Sequence, residues 1–314
     1  MASNDPIDHP SLGGIRLVLG GNVFGWTIDQ DRSFAVLDAF YEAGGRMIDT
    51  AEGYSSWVPG NKGGESEAVI GAWLQSRGVR ADMRIGTKTG MGGSPGALRP
   101  DAVAKALRGS LERLRTDYVD LYYIHRDDLV TPLDEVVSAY DTPFRAGAVR
   151  ELGVSNYEPG RLVELNAAAR RLGAQPFTVA QPLYNLVARQ SYEGSLQQLC
   201  LEQGIAVLPY YGLAAGFLSG KYESAKGWAG SARASSLDEA AAEGGWDILD
   251  RVRSVASAAG LTPAQVALAW LNAQPGIAAP LASATSPEQL ADLTRAATIQ
   301  LDDEQLRQLS GASH

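Results

Sequence analysis

The chain has 314 residues, 45% hydrophobic and 20% charged, with one cysteine and 27 Lys+Arg against 36 Asp+Glu. Those fractions exclude a disordered chain, and a net charge of −9 opposes nucleic acid and anionic membrane surfaces as partners. The lone Cys200 excludes an internal disulfide framework and suits a reducing compartment.

RLVLGG (16–21) reads as a strand. SFAVLDAFYEAGG follows as a helix, with Phe34, Leu37, Phe40 and Tyr41 at helical spacing and a stop at Gly44-Gly45. RMIDT (46–50) is a strand, ESEAVIGAWLQSRG a helix and RIGTK (84–88) a strand. PDAVAKALRGSLERL opens on Pro100 and Asp101, good first-turn residues, and carries Val103, Leu107, Leu111 and Leu114 on one face. VDLYYIH (119–125), VRELGVSN (149–156), FTVAQ (177–181) and IAVLPY (205–210) are further strands. PLDEVVSAYDTPFRAG, EPGRLVELNAAARRLG and SYEGSLQQLCLEQG are the helices between them. WDILDRVRSVASAAG and TPAQVALAWLNAQPG precede the last strand, GIAAPLAS (276–283), and SPEQLADLTRAA is the last main helix. The Gly-, Ser- and Ala-rich stretch 219–245 is the longest irregular segment; it reads as a functional lid or a variable surface insertion.

The N-terminus, MASNDPIDHP, lacks the basic and apolar regions of a secretory signal, and no run approaches ~18 apolar residues. A cytoplasmic location is therefore expected. Eight strands, each followed by a helix, predict a parallel sheet and, at this length, an α/β fold of the (β/α)8 type. The expectation is one barrel domain over 1–314, with 1–14 and 311–314 as flexible tails. A doubly wound sheet is the rival, but GGNVFG (20–25) lacks the G-x-G-x-x-G spacing and no linker is visible.

Barrel enzymes carry their chemistry at the C-terminal ends of the strands. Asp49 ends the second strand, with Tyr54 in its loop. Lys88 ends the third, His125 the fourth, Ser155 and Asn156 the fifth, Gln181 the sixth and Tyr210 the seventh. The first four make chemical sense together. A tyrosine titrates near ~10, and a nearby ammonium is expected to lower that. An aspartate offsets the buried lysine charge. The phenol then donates a proton to a carbonyl oxygen, which the imidazole orients and polarises. No side chain supplies hydride; a nicotinamide cofactor would.

Seven motifs, in order, carry a resemblance: IDTAEGYS (48–55), IGTKTG (85–90), DYVDLYYIHRDD (117–128), ELGVSNY (151–157), VAQPLYNL (179–186), YYGLAAGFLSGKY (210–222) and SATSPEQLAD (283–292). From about residue 15 to 300 the chain resembles the aldo-keto reductases, nearest the bacterial and channel-β-subunit-like branch. The resemblance implies NADP(H), with NAD(H) an alternative, bound to the barrel without a Rossmann domain. It implies Tyr54 as acid, with Lys88, Asp49 and His125 beside it. It assigns Ser155, Asn156 and Gln181 to the carboxamide, Tyr210 to stacking on the nicotinamide, and Gly212, Leu213, Ala214 and Gly216 to the pyrophosphate. Gly21 and Asn22 join the cofactor set, as do Lys221 and Arg233 from the long loop. Ser283, Thr285, Gln289 and Asp292 match the adenosine pocket. Ser286-Pro-Glu-Gln289 also reads as a capping box at a helix N-terminus.

The chain departs from the family pattern at Leu293, where an asparagine is usual, at Gln289, where many members have arginine, and at Gly212, a common proline. Arg126-Asp127-Asp128 replaces Trp-Pro after the histidine and puts charge near the mouth. Trp26, Trp57 and Tyr54 as aromatic walls, with Arg126, Asp127 and Asn61 as polar contacts, suit a polyhydroxylated or sugar-like aldehyde or ketone as substrate. Two other functions stay open: a nicotinamide-binding redox sensor, and a Schiff-base aldolase built on Lys88.

Overall fold

The computed structural model describes residues 9, 12–242 and 244–311. Its strands are β1 (Val18–Gly20), β2 (Met47–Asp49), β3 (Arg84–Thr89), β4 (Leu121–Ile124), β5 (Leu152–Ser155), β6 (Val179–Gln181), β7 (Ala206–Val207) and β8 (Leu281–Ala282). The helices are α1 (Gln30–Glu42), α2 (Glu65–Arg77), α3 (Pro100–Leu114), α4 (Leu133–Arg145), α5 (Pro159–Leu172) and α6 (Ser195–Gln203), then α7 (Ala234–Ala241), α8 (Gly245–Ala259), α9 (Pro263–Asn272), α10 (Pro287–Arg295) and α11 (Asp303–Ser310).

All eight strands pair in parallel, in the order β7-β6-β5-β4-β3-β2-β1-β8. A parallel bridge between Val207 and Ile277 joins the two ends, so the sheet closes into the expected (β/α)8 barrel. Several strands are shorter than the apolar runs suggest. Their flanks still point inward or outward in alternation but pair only through isolated bridges, such as Val119–Val149 and Leu183–Tyr210. Burial sets the length of an apolar run; ladder pairing sets the length of a strand.

Two cores result. Val18, Met47, Leu121, Tyr123, Val179 and Leu208 fill the inside of the barrel. A larger layer between barrel and helices holds Phe40, Trp73, Tyr122, Tyr140 and Trp270. Leu12, in the segment expected to be a tail, is buried in the inner core, and His9 lies 3.0 Å from Glu151. His314 and the other outermost residues of both expected tails lie outside the described residues.

The stretch 219–245 is not irregular. It contains a short 3-10 turn (Ala225–Trp228) and α7. Trp228 stacks on Trp246 of α8 at 5.8 Å, Phe217 meets both rings edge-on, and the Trp228 indole donates to Asp238 of α7 at 2.8 Å. Three aromatic side chains from separate segments thus supply the apolar core that this polar sequence lacks locally. Among the described residues no single helix is long and apolar enough to cross a membrane.

Candidate active site

Parallel register places the strand ends on one rim. Gly20 pairs with Asp49, Asp49 with Gly86, Lys88 with Tyr123 and Ser155 with Gln181. Lys88 is fully buried, and Asp49 nearly so. The Lys88 ammonium donates to Asp49 Oδ2 at 2.6 Å, to the Thr50 carbonyl at 2.8 Å and to the Tyr54 hydroxyl at 3.0 Å. All three N–H bonds of the ammonium are therefore in use. Asp49 also accepts from Gln181 Nε2 at 2.8 Å and, more weakly, from the Tyr54 hydroxyl at 3.4 Å. Each charge is paired and hydrogen-bonded, as burial demands.

The titration of Tyr54 differs from expectation. Burial and the Asp49 carboxylate hold the phenol well above its ordinary value. Burial also lowers Lys88, against the opposing pull of Asp49 and Glu67. Tyr54 therefore keeps its proton at neutral pH, as a donor must. Burial, then the charges of Lys88 and Arg126, pushes His125 down to about 3. The imidazole is neutral, its ring 6.0 Å from that of Tyr54 and its Nδ1 buried without a partner among the described residues. A neutral imidazole donates through one nitrogen only.

Beside this group lies a polar shelf. Ser155 Oγ donates to the Gln181 carbonyl at 2.8 Å. Asn156 has a left-handed backbone (φ 54°), which asparagine tolerates better than most residues. Its Nδ2 donates to the His125 carbonyl at 3.0 Å, and its Oδ1 accepts from the Tyr210 hydroxyl at 2.8 Å. A cleft of about 140 Å³ on one side of Tyr210 is lined by Asn22, Trp26, Tyr54, Gly212, Leu213, Gly216, Arg233 and Ser283. Ser283 Oγ donates to Asn22 Oδ1 at 2.7 Å, and the Gly21 carbonyl accepts from Ser66 at 2.8 Å. A second cavity of about 530 Å³ on the other side of Tyr210 is lined by Arg126, Asn156, Gln181, Gln190 and Ser191.

Above the cleft the chain bends through Tyr211, Ala214, Ala215 and Gly216, all at positive φ. Such concentrated strain marks functional loops, and successive left-handed residues turn backbone amides into anion cradles. Ala215 lines the cleft; Ala214 faces a different cavity, with Tyr211 and Ser236. Lys221 is exposed, its ammonium over Tyr222 and close to Gly216.

Most of the other sequence-predicted residues have protein partners of their own. Arg233 stacks over Trp26, 5.4 Å from the ring centroid, and so bridges the lid to the loop after β1. Gln289 Oε1 accepts from the Thr285 amide and hydroxyl at 3.0 and 2.9 Å. The expected capping box is half formed: Ser286 Oγ accepts from the Gln289 amide, but the return bond goes one residue upstream, to Thr285. Asp292 accepts from Thr262 and Gln265, the cap of α9. Asp127 pairs with Arg161 at 2.6 Å, Asp128 caps its own turn, and Asn61 donates to the Gly25 carbonyl. Of the charged tripeptide only Arg126 is exposed, with no ion pair among the described residues. Trp57 meets Trp26 and Tyr54 edge-on, at 5.3 and 6.1 Å.

Sequence reasoning missed the Thr50 carbonyl and Tyr123. The second had a signal: it lies two residues before His125, on the inward face of β4.

A (β/α)8 barrel with a buried Lys–Asp pair under a tyrosine at its C-terminal mouth defines a class of oxidoreductases. The chain belongs to the aldo/keto reductase family, whose sequence profile matches residues 16–314. It is 32% identical to the uncharacterised oxidoreductase YrpG of Bacillus subtilis, over 94% of this chain and 91% of that one. It is 30% identical to a probable voltage-gated potassium channel subunit beta of Oryza sativa, over 87% of this chain and 84% of that one. It is 32% identical to an aryl-alcohol dehydrogenase [NADP(+)] of Phanerodontia chrysosporium, over 60% of this chain and 51% of that one.

Proposed function

We propose that the protein reduces an aldehyde or ketone with NADP(H), with NAD(H) as a weaker substitute, in the cytoplasm. The observation that carries this reading is the single hydrogen-bonded unit of Tyr54, Lys88 and Asp49, with a neutral His125 beside it. The residues present fit a nicotinamide: Asn156 and Gln181 line a cavity with Tyr210, and Ser155 bonds to Gln181. On the bend above the cleft the Ala214 and Gly216 amides close the turn onto Tyr211 and Leu213, so a pyrophosphate would meet the backbone of Gly212, Leu213 and Ala215. The coenzyme, when bound, supplies the hydride.

The chain's own residues do the rest. Tyr54, protonated at neutral pH, donates its proton to the developing alkoxide. Lys88 stabilises the phenolate left behind, and Asp49 holds Lys88 in place. Neutral His125 donates to the carbonyl oxygen and orients it. Trp57 packs edge-on against both Tyr54 and Trp26, and Trp26 lines the cleft with Tyr54, while Asp127 and Asn61 are used internally, so an aromatic carbonyl compound fits the mouth better than a sugar. The aryl-alcohol dehydrogenase relative supports both that class and NADP(H). The channel-subunit relative keeps a sensor role as the second reading.

The test is coenzyme oxidation, with NADPH and NADH, against a panel of aromatic aldehydes, ketones and keto-sugars. Tyr54→Phe is expected to lose about 10²–10⁴-fold in turnover while still binding coenzyme. Wild-type turnover in that variant sinks the assignment, and no turnover with any carbonyl favours the sensor.

A further inference from the structure

Lys88 has partners on one side only. Its three N–H bonds go to Asp49, Thr50 and Tyr54, towards the mouth. Its other side faces the inside of the barrel, where most side chains are aliphatic. The exception is Tyr123, the register partner of Lys88 on β4, whose ring lies beneath the ammonium at 5.6 Å. Strand β5 makes room for it. A Cβ on Gly153 would come within 2.6 Å of that ring, whereas one on Gly86 of β3 would meet Met47 first, at 2.9 Å. The glycine inside β5, which weakens the strand, is thus explained by one large side chain. The Tyr123 hydroxyl is buried beside the Gln181 amide and makes no well-aligned hydrogen bond among the described residues. A buried phenol so weakly partnered is a poor choice for packing alone, so the ring face is the feature to explain.

We propose that Tyr123 is a positioning residue that keeps Lys88 charged and centred under Tyr54 through the face of its ring. The inference extends the reductase reading, but its physical content, the ammonium state of Lys88, exists without any coenzyme. An aromatic face attracts a cation, and more strongly where water is excluded. The charged and titratable groups around Lys88 are Asp49 from β2, Tyr54 from the following loop, Glu67 of α2 acting through the barrel wall, and His125 at the end of β4. Asp49 and Glu67 favour the ammonium, burial opposes it, and His125 is neutral across the working range. The ring adds to the first side of that balance.

The experiment titrates Lys88 in the coenzyme-free protein by carbon-13 NMR of the lysine side chains, with the signal assigned by its loss in Lys88→Arg. Tyr123→Phe keeps a ring face and should titrate like the parent, with equal or higher thermal stability. Tyr123→Leu should titrate lower by up to about one pH unit, a tenfold change. Phenylalanines with increasing ring fluorination at position 123 keep the shape and should fall in order between Phe and Leu, so the test survives misfolding of Leu. The pH–rate profile of carbonyl reduction should move with the titration while KM for coenzyme stays put. Coincident Lys88 titrations in the parent and the fluorinated variants overturn the proposal. A graded Lys88 shift in a protein that reduces no carbonyl upholds it and rejects the reductase reading instead.

Discussion

The neutral His125 makes a prediction that needs no substrate. In the folded chain its titration lies at about 3, whereas an unfolded histidine titrates near ~6.5. Between those values the unfolded state carries one more proton than the folded state. Stability must therefore rise with pH across that window and fall as the pH drops below ~6.5, with a limiting slope of about 1.4 kcal/mol per unit. From pH 6 to pH 4 the loss amounts to about 2 kcal/mol from this residue alone. The cause is burial first, with Lys88 and Arg126 adding to it. Carboxylates also titrate in this range, so the parent curve by itself proves nothing. The comparison is with His125→Asn, which removes the proton site. Urea unfolding at constant ionic strength, followed by circular dichroism and by tryptophan fluorescence, gives both curves. The parent should lose about 2 kcal/mol more than the variant over those two units. Parallel curves refute the reasoning, because His125 would then titrate alike folded and unfolded.

Lys88→Met leaves the Asp49 carboxylate buried with only Gln181 and Tyr54 as donors. It should cost about 3–5 kcal/mol in urea unfolding, with much of that recovered in Lys88→Met/Asp49→Leu; a double variant no better than the single would contradict this. Arg115 ends α3 in the left-handed region (φ 54°) with an exposed side chain. Arg115→Gly should raise stability by about 1 kcal/mol, and Arg115→Ala should not; equal melting temperatures for the two would tell against backbone strain there. Arg233 lies with Gly212 and Gly216 rather than with Thr285 and Gln289 in the lining of the cleft. Arg233→Ala should therefore weaken NADPH and NADH by similar factors, about tenfold each, as loss of one charge-assisted contact implies. Selective loss of NADPH affinity would show that Arg233 reads the 2′-phosphate after all.

Much of this protein is legible in one dimension. Apolar alternation marks strands and apolar recurrence at helical spacing marks helices, because each pattern records which face of a local element is buried. Eight such units in sequence imply the barrel, and the barrel's polarity then points to Asp49, Lys88, His125, Ser155, Gln181 and Tyr210 before any distance is known. Other features depend on where remote segments meet. Gln181 and Asp49 are 132 positions apart, and only closure and stagger of the sheet set their contact at 2.8 Å. Helix α7 has no apolar periodicity of its own strong enough to stand out; Phe217, Trp228 and Trp246 create its core from three segments. Gln289 and Asp292 match a motif by type, but their partners at Thr285, Thr262 and Gln265 decide what their oxygens do. The direction of the Tyr54 shift is illegible in the sequence for the same reason. Residue types name the charges nearby, but burial, a property of the folded chain alone, outweighs the ammonium.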